Sequence, residues 1–397
     1  SLGDSIRVRG GDAEAARIPD ASGDGDRCRA WYAVEPAGYV CTGADGTLDP
    51  DDPAVEALRQ TAANPGSPWP YDYGESLGTP IYRALPDRAE QLRTEADLLR
   101  HEQRVKRARQ AGGALDAGAP VPELAGVVLG PTGQSPPPLP ELSPYARGVR
   151  TRVWPGSTIA FTRRFDAGGR SWLLTWDRGI VPSDRVRPYP RSDFEGVALT
   201  SDRRLPLAFF RARPRPQYRL LSSDRVEPTN KSWPRLSWVG LTGRAVEVGG
   251  QSYLQTTADG LYCAADDATV VSEATALPTR VAAATAGRRS WLDISVLGGW
   301  LVAYEGQRPV YATLISPGRG GVPFRGVPAI DTASTPTGQF TVTGKFLPAT
   351  MTSTSDSHIV HAEVQYTQNF SGPHALHGAY WHDDWGEKKS GGCVNLS

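Results

Sequence analysis

Residues His377 to Ser397 read HGAYWHDDWGEKKSGGCVNLS and set His377 and Cys393 sixteen positions apart, on either side of a glycine-rich turn. A thiol attacks carbon only as thiolate, so a nucleophilic cysteine needs a base to take its proton and backbone N–H groups to receive an oxyanion. This stretch offers all three: Cys393, His377, and the Ser390-Gly391-Gly392 approach, whose glycines let backbone amides turn toward a substrate carbonyl. Taken alone, the pair is weak evidence. Buried cysteines are more often small core residues, and a lone histidine is more often a polar surface or cap residue.

The strings upstream narrow the reading. Thr335-Pro336-Thr337-Gly338-Gln339-Phe340-Thr341-Val342 comes first, then Ala375-Leu376-His377-Gly378-Ala379-Tyr380-Trp381, then Ser390-Gly391-Gly392-Cys393-Val394-Asn395-Leu396. In that order and at that spacing they resemble the catalytic domain of the L,D-transpeptidases, the YkuD-like enzymes that cross-link peptidoglycan. The resemblance covers the chain from about Ser290 onward. Trp291-Leu292-Asp293-Ile294-Ser295 and Trp300-Leu301-Val302-Ala303-Tyr304-Glu305-Gly306 resemble that family's opening hairpin, and Pro309 to Ser316 its next strand. Each run alternates apolar with polar or small residues, which predicts half-buried strands. The expected fold class is mainly β: a C-terminal L,D-transpeptidase-like β-sandwich or barrel, preceded by small SH3-like β modules and one helical arm.

The resemblance implies roles position by position. Cys393 matches the nucleophile that attacks the bond between a stem-peptide diaminoacid and D-Ala, releases D-Ala and keeps the acyl group as a thioester. His377 matches its base, and Gly378 the residue whose backbone carbonyl orients that imidazole in place of a triad carboxylate. The N–H groups of Gly392 and Cys393 would form the oxyanion hole, where losing one donor costs about 2.7–4 kcal/mol of barrier. Ser390, Asn395, Tyr380 and Trp381 fall at the substrate site, Asn395 with a structural hydrogen bond as the competing role. No metal or organic cofactor is needed, and a carbapenem is expected to acylate Cys393. Two departures stand out. Gly391 occupies a position where many members carry His, and only four residues follow Cys393 where members usually continue, so the chain reads as cut short at its C-terminus.

A zinc site is the rival use of the same residues, since imidazole and thiolate are common zinc ligands. The spacings 3, 5 and 11 along His374, His377, His382 and Cys393 match no compact zinc pattern. His358 and His361, in SDSHIVHAEV, read as a loop or flap over the site, with residues 358–369 able to occlude it. His101 reads as a solvated residue of an unrelated helix.

With 397 residues the chain can hold two or three domains, and no apolar run approaches the length that spans a bilayer. Net charge is zero but uneven: residues 144–240 hold nineteen Lys/Arg against eight Asp/Glu, whereas residues 1–60 hold six against twelve. A basic stretch could meet an anionic wall polymer or nucleic acid. Nucleic acid is disfavoured, because the basic residues are scattered among Pro and apolar residues without a recognition helix or zinc-finger spacing. Cys28 and Cys41 flank RAWYAVEPAGYV, a strand, a turn at Pro36-Ala37-Gly38 and a returning strand, and could close a disulfide loop worth about 3 kcal/mol. Such a bond implies an oxidising compartment. Cys263 reads as a buried strand residue without a partner. The chain begins at Ser1, as after processing or truncation, and the family's substrate lies outside the cytoplasmic membrane, so the expected location is extracytoplasmic, with a signal segment removed.

The organisation expected from these patterns has four parts. Residues 1–27, rich in Gly, Asp and Ala, read as a flexible tether. Residues 28–143 hold the cysteine-flanked β region, an exposed amphipathic helix over 87–110 and a Pro-rich linker around PTGQSPPPLPELSP. Residues 144–288 hold the SH3-like modules, suggested by a partial repeat in which Gly169 to Thr175 and Gly250 to Thr256 begin 81 residues apart. Residues 289–397 form the catalytic domain. Peptidoglycan stem peptides are the expected partner, with wall glycan a partner of the upstream modules. The alternatives are a wall-binding protein with a degenerate enzyme domain, an L,D-carboxypeptidase if water is the acceptor, and, ranked low because His precedes Cys, a thiol endopeptidase.

Overall fold

A computed structural model describes residues 6–18, 28–35, 38–43, 46–52, 55, 62–64, 66–110, 152–282, 290–352 and 358–397. It divides into two compact units, Ser1–Pro188 and Tyr189–Ser397. Both are built mainly from β-strands. No helix among the described residues is long and apolar enough to cross a membrane. The Pro-rich linker, the Pro36-Ala37 turn and much of the expected tether lie outside the described residues.

In the first unit, strands β1 (Arg17–Ile18), β2 (Cys28–Ala33) and β3 (Tyr39–Gly43) form an antiparallel sheet in that order. The tether expected over residues 1–27 therefore contributes a strand: Arg17 pairs with Tyr32 and Ile18 with Trp31, while Ala16 is buried. Cys41 is disulfide-bonded. A second sheet contains β4 (Asp72–Ser76), β5 (Thr158–Ala167), β6 (Arg170–Thr175), β7 (Ile180–Pro182) and β8 (Val186–Pro188), paired in the order β7-β6-β5-β4-β8. Alternate residues of these strands face inward, and Ile159, Phe161, Leu173, Val181 and Val186 make its core.

The single exposed helix expected over 87–110 is instead two docked helices, Arg88–Thr94 and Leu98–Gln110. Asp87 starts the first by accepting a hydrogen bond from Glu90 N (2.7 Å). Glu95 ends it, because its carboxylate turns inward to an ion cluster rather than continuing the turn. Tyr82 Oη donates to Glu95 Oε1 (2.8 Å), Arg170 donates to both carboxylate oxygens (2.7 and 3.0 Å), and Arg185 Nε donates to Oε2 (2.5 Å). His101, expected in solvent, is buried with Nε2 3.3 Å from Asp184 Oδ1, off the hydrogen-bond direction. Charge periodicity alone read these helices as solvated. The basic and acidic residues that neutralise one another come from strands far away in sequence.

The second unit contains the same strand order once more. Strands β10 (Leu207–Phe209), β13 (Trp238–Val248), β14 (Gln251–Thr256), β15 (Tyr262–Ala264) and β16 (Thr269–Val271) pair as β15-β14-β13-β10-β16. In both copies a one-turn 3-10 helix, Ser183–Arg185 or Ala265–Asp267, precedes the last strand. Gly168-Gly169 and Gly249-Gly250 turn the long hairpin, all four with positive φ, as a tight turn of this kind requires. The partial repeat in sequence thus corresponds to a repeated topology, with one copy in each unit. The second copy adds a hairpin, β11 (Arg215–Ser222) and β12 (Arg225–Trp233), on the β15 edge. Cys263 is free and buried in its core, where burial pushes the thiol up to about 12.

The C-terminal sheets complete this unit. β17 (Ser290–Ser295), β18 (Trp300–Glu305) and β19 (Arg308–Leu314) form the antiparallel meander that the alternation predicts, with β9 (Val197–Ala198) on the far edge. A second sheet runs from β20 (Gly344–Thr352) through β21 (Val360–Ser371) and β22 (His374–Gly378) to β23 (Val394–Leu396), and β22 and β23 are parallel. Leu301, Ile315, Leu376 and Val394 fill the space between the two sheets. A larger core joins Leu207, Phe209 and Val271 to Val302, Leu314 and Trp385, so the repeated module and the C-terminal sheets share one interior. Burying such side chains contributes roughly 1.5–3 kcal/mol each.

Candidate active site

Parallel pairing of β22 and β23 assembles the site. Leu376 lies opposite Val394 and His377 opposite Asn395. Side chains alternate along each strand, so Leu376 and Val394 point into the core while His377 and Asn395 share the other face, and Cys393 stands in the turn just before β23. A parallel pair needs a crossover between its strands, and residues 379–393 supply it. That crossover is pinned to the end of β19 and the loop after it: Ser316 and Asn395 exchange two backbone hydrogen bonds of 3.0 Å, and Lys389 N and Ser390 N both donate to Pro317 O.

His377 is 2 % exposed, and its Nδ1 donates to Gly378 O (2.9 Å). The opposite ring nitrogen, Nε2, accepts from Asn395 Nδ2 (3.1 Å), and Asn395 Oδ1 accepts in turn from His382 Nε2 (3.3 Å). Burial pushes His377 down to about 4 against the hydrogen bond to Gly378, with His361 and His382 adding to the fall. At neutral pH it is therefore an uncharged imidazole. Cys393 is partly exposed and free. Burial of the sulfur pushes its thiol up, and a hydrogen bond from the backbone of Ala375 partly offsets this. Cys393 thus rests as a thiol and His377 as a neutral imidazole.

The glycine-rich turn has specific steric reasons. Gly392 has φ +131°, and a Cβ there would meet His374 Nε2 and Ser334 O at 2.8 Å. Its N–H donates to Ser390 Oγ (3.0 Å), and the Ser390 hydroxyl donates to Cys393 O (2.6 Å). An oxyanion held by the Gly392 N–H would take that hydrogen bond from Ser390. Gly378 is close-packed, since a Cβ would run into the Gln365 side chain. Gly378→Ala is expected to lower stability by about 1–3 kcal/mol and to displace the carbonyl that orients His377. Thermal unfolding checks the first effect and the rate of Cys393 acylation the second.

The remaining residues separate by what they touch. Tyr380 is buried and donates from its hydroxyl to Ala362 O (2.6 Å), so it braces β21. Trp381 packs between two imidazoles, stacked on His361 with centroids 4.5 Å apart and tilted on His377 at 5.7 Å. His361, read from sequence as part of a flap, lies within β21 and lines the site. His374 points to the opposite face, with Nδ1 on Ser371 O (3.0 Å) and Nε2 buried against Gly392. The part played by His382 had no sequence signal, because its approach to Asn395 depends on the path of the crossover. Among the described residues no group of three or more His, Cys, Asp or Glu has an arrangement that could hold a metal ion.

No curated protein and no solved structure matches this chain. Residues 291–397, which include His377 and Cys393, match the family model of the L,D-transpeptidase catalytic domain, YkuD.

Proposed function

We propose that this chain is a peptidoglycan L,D-transpeptidase that works through a thioester on Cys393. The observation that supports the reading is a buried imidazole on β22, with its Nδ1 held by a backbone carbonyl, beside the parallel strand β23 that a free cysteine directly precedes. His377 Nε2 takes the thiol proton, and sulfur attacks the carbonyl between the donor diaminoacid and D-Ala. The tetrahedral oxyanion rests on backbone N–H groups of the Gly392-Cys393 turn. The carbon–nitrogen bond breaks, and D-Ala leaves with the proton from His377. An amine of a neighbouring stem, or of an anchored protein, then attacks the thioester and gives its proton to His377 as sulfur departs. Water in place of the amine makes the product a shortened stem peptide, as in an L,D-carboxypeptidase.

The disulfide at Cys41 supports an extracytoplasmic location, where such bonds persist and peptidoglycan is found. Under this reading the repeated β modules meet wall peptide or glycan, or position the catalytic domain on it. Intact-mass spectrometry after incubation with a disaccharide-tetrapeptide tests the reaction. An acyl adduct with release of D-Ala is expected, and an adduct is also expected with a carbapenem. Folded protein that gains neither mass is not a transpeptidase.

The titration of the pair gives a further expected result. Since His377 is held down to about 4, the base stays unprotonated well below neutrality. Acylation by a carbapenem should lose its base only as pH approaches that value, and should rise through the alkaline range as the elevated Cys393 thiol ionises. A stopped-flow pH profile whose acid limb falls near about 6.5, the ordinary imidazole value, would assign the limb to an imidazole other than buried His377.

A further inference from the structure

The contacts around Asn395 form a directed chain in which each donor fixes the next. Asp384 N donates to His382 Nδ1 (3.3 Å), so neutral His382 carries its proton on Nε2. That proton goes to Asn395 Oδ1 (3.3 Å), which turns the amide nitrogen toward His377 Nε2 (3.1 Å). His377 Nε2 must then be an acceptor, and its own proton sits on Nδ1, facing Gly378 O (2.9 Å). The opposite amide orientation would place an oxygen against Nε2 and call for a proton there. With Nδ1 already donating, that arrangement suits only an imidazolium.

The position of His382 is itself well defined. Trp385 packs on its ring with centroids 4.7 Å apart, and Trp385 Nε1 is held by Ser192 Oγ (3.0 Å) and Asp383 Oδ1 (2.8 Å). Asn395 is fixed through its backbone to Ser316. The free rotation left in the chain is the flip of the Asn395 amide, and His382 Nε2 opposes it.

We infer that His382 is a positioning residue that acts through the Asn395 amide to hold His377 in the Nδ1-protonated tautomer, keeping its Nε2 lone pair available as the base. This rests on the function proposed above and assigns to that reaction a residue outside the nucleophile, base and carbonyl group. In the resting site the Asn395 amide occupies the lone pair, and the thiol must take its place to transfer a proton. The titratable groups around the two imidazoles are His361 from β21 and Asp383, Asp384 and Lys389 from the crossover. Lys389 Nζ is paired with Asp384 Oδ2 (2.8 Å).

Nitrogen-15 imidazole spectra of the whole protein, which need no substrate, provide the test. In the parent, His377 is expected as the Nδ1–H tautomer and His382 as the Nε2–H tautomer; finding His382 protonated on Nδ1 overturns the inference without any variant. His382→Phe should move His377 toward the Nε2–H or doubly protonated form and raise its titration midpoint. His382→Gln, which keeps an N–H donor for Asn395 Oδ1, should restore the parent spectrum. Carbapenem acylation should fall about 10-fold or more in the Phe variant, as when an imidazole is left in the wrong tautomer, and recover in the Gln variant. An unchanged His377 tautomer in folded His382→Phe protein overturns the inference. The predicted tautomer shifts without acylation of any form, parent included, would uphold the positioning chain and instead sink the transpeptidase reading.

Discussion

Replacing Cys393 by alanine is expected to abolish the acyl adduct and the release of D-Ala while leaving the fold intact. Alanine keeps the Cβ and removes the sulfur with its long contact to Pro373 O (3.9 Å) and the hydrogen bond from the backbone of Ala375, and leaves the strand pairing beside it in place. Under the function proposed above the chemical loss is complete, because the acyl transfer needs the Cys393 sulfur as its nucleophile. Removing the nucleophile of a comparable unit costs on the order of 10⁴-fold or more in rate, and what survives comes from binding and oxyanion stabilisation alone. Intact mass after exposure to the tetrapeptide and to a carbapenem reads the result directly. The adduct should appear on the parent and be absent from the variant, with both melting at about the same temperature. An adduct of equal yield on Cys393→Ala would move the chemistry to another side chain, and Cys263, buried with its thiol at about 12, is a poor substitute.

The largest effect on stability is expected in the first unit, at Glu95. Its side chain is fully buried and receives Tyr82, Arg170 and Arg185. Arg170 is shared with Asp184 (2.8 Å) and Arg185 with Asp97 (2.7 Å), so five charges compensate one another across the helix break and the sheet. Glu95→Ala removes the carboxylate that bridges two guanidinium groups, each with a side chain 8 % exposed, and leaves their inward N–H groups and the Tyr82 hydroxyl without that acceptor while Asp184 and Asp97 still pair with Arg170 and Arg185. Breaking a buried pair from one side costs about 3–5 kcal/mol, far more than removal of a surface ion pair. Urea unfolding, with hydrogen exchange at the β5 and β6 amides to localise the loss, measures it; a change below about 1 kcal/mol would mean that water replaces the carboxylate at little cost.

The same cluster sets an acid limit. Burial by itself would raise Asp184, but His101 and Arg170 bring it down to about 2, while Arg185 brings Asp97 down to about 2. Glu95 is likewise lowered, the Arg170 and Arg185 contacts outweighing its burial. As pH falls below about 4 the unfolded chain takes up protons that the folded chain refuses, and the stability of this unit declines toward pH 2.

What the sequence determined by itself was local or came in contiguous strings. Alternation over Trp291 to Ile315 specified the meander, because a strand with one buried face leaves a period of two in the chain. The runs Gly169 to Thr175 and Gly250 to Thr256, which begin 81 residues apart, suggested a partial repeat, and the strands they form hold the same place in the strand order of both units. The strings around His377, Gly378 and Cys393 pointed to the family domain, and they lie within residues 291–397, which match its model. Tertiary structure decided the rest. Whether Glu95 and His101 face water depends on Arg170 and Asp184, more than seventy residues away, and a helical charge pattern looks the same docked or solvated. Whether Asn395 meets substrate or holds the base depends on a one-residue register between two parallel strands joined by a crossover. A slip of one position would turn Asn395 to the opposite face from His377, and the packing of Leu376 and Val394 into the core together with the two backbone bonds between Asn395 and Ser316 opposes it.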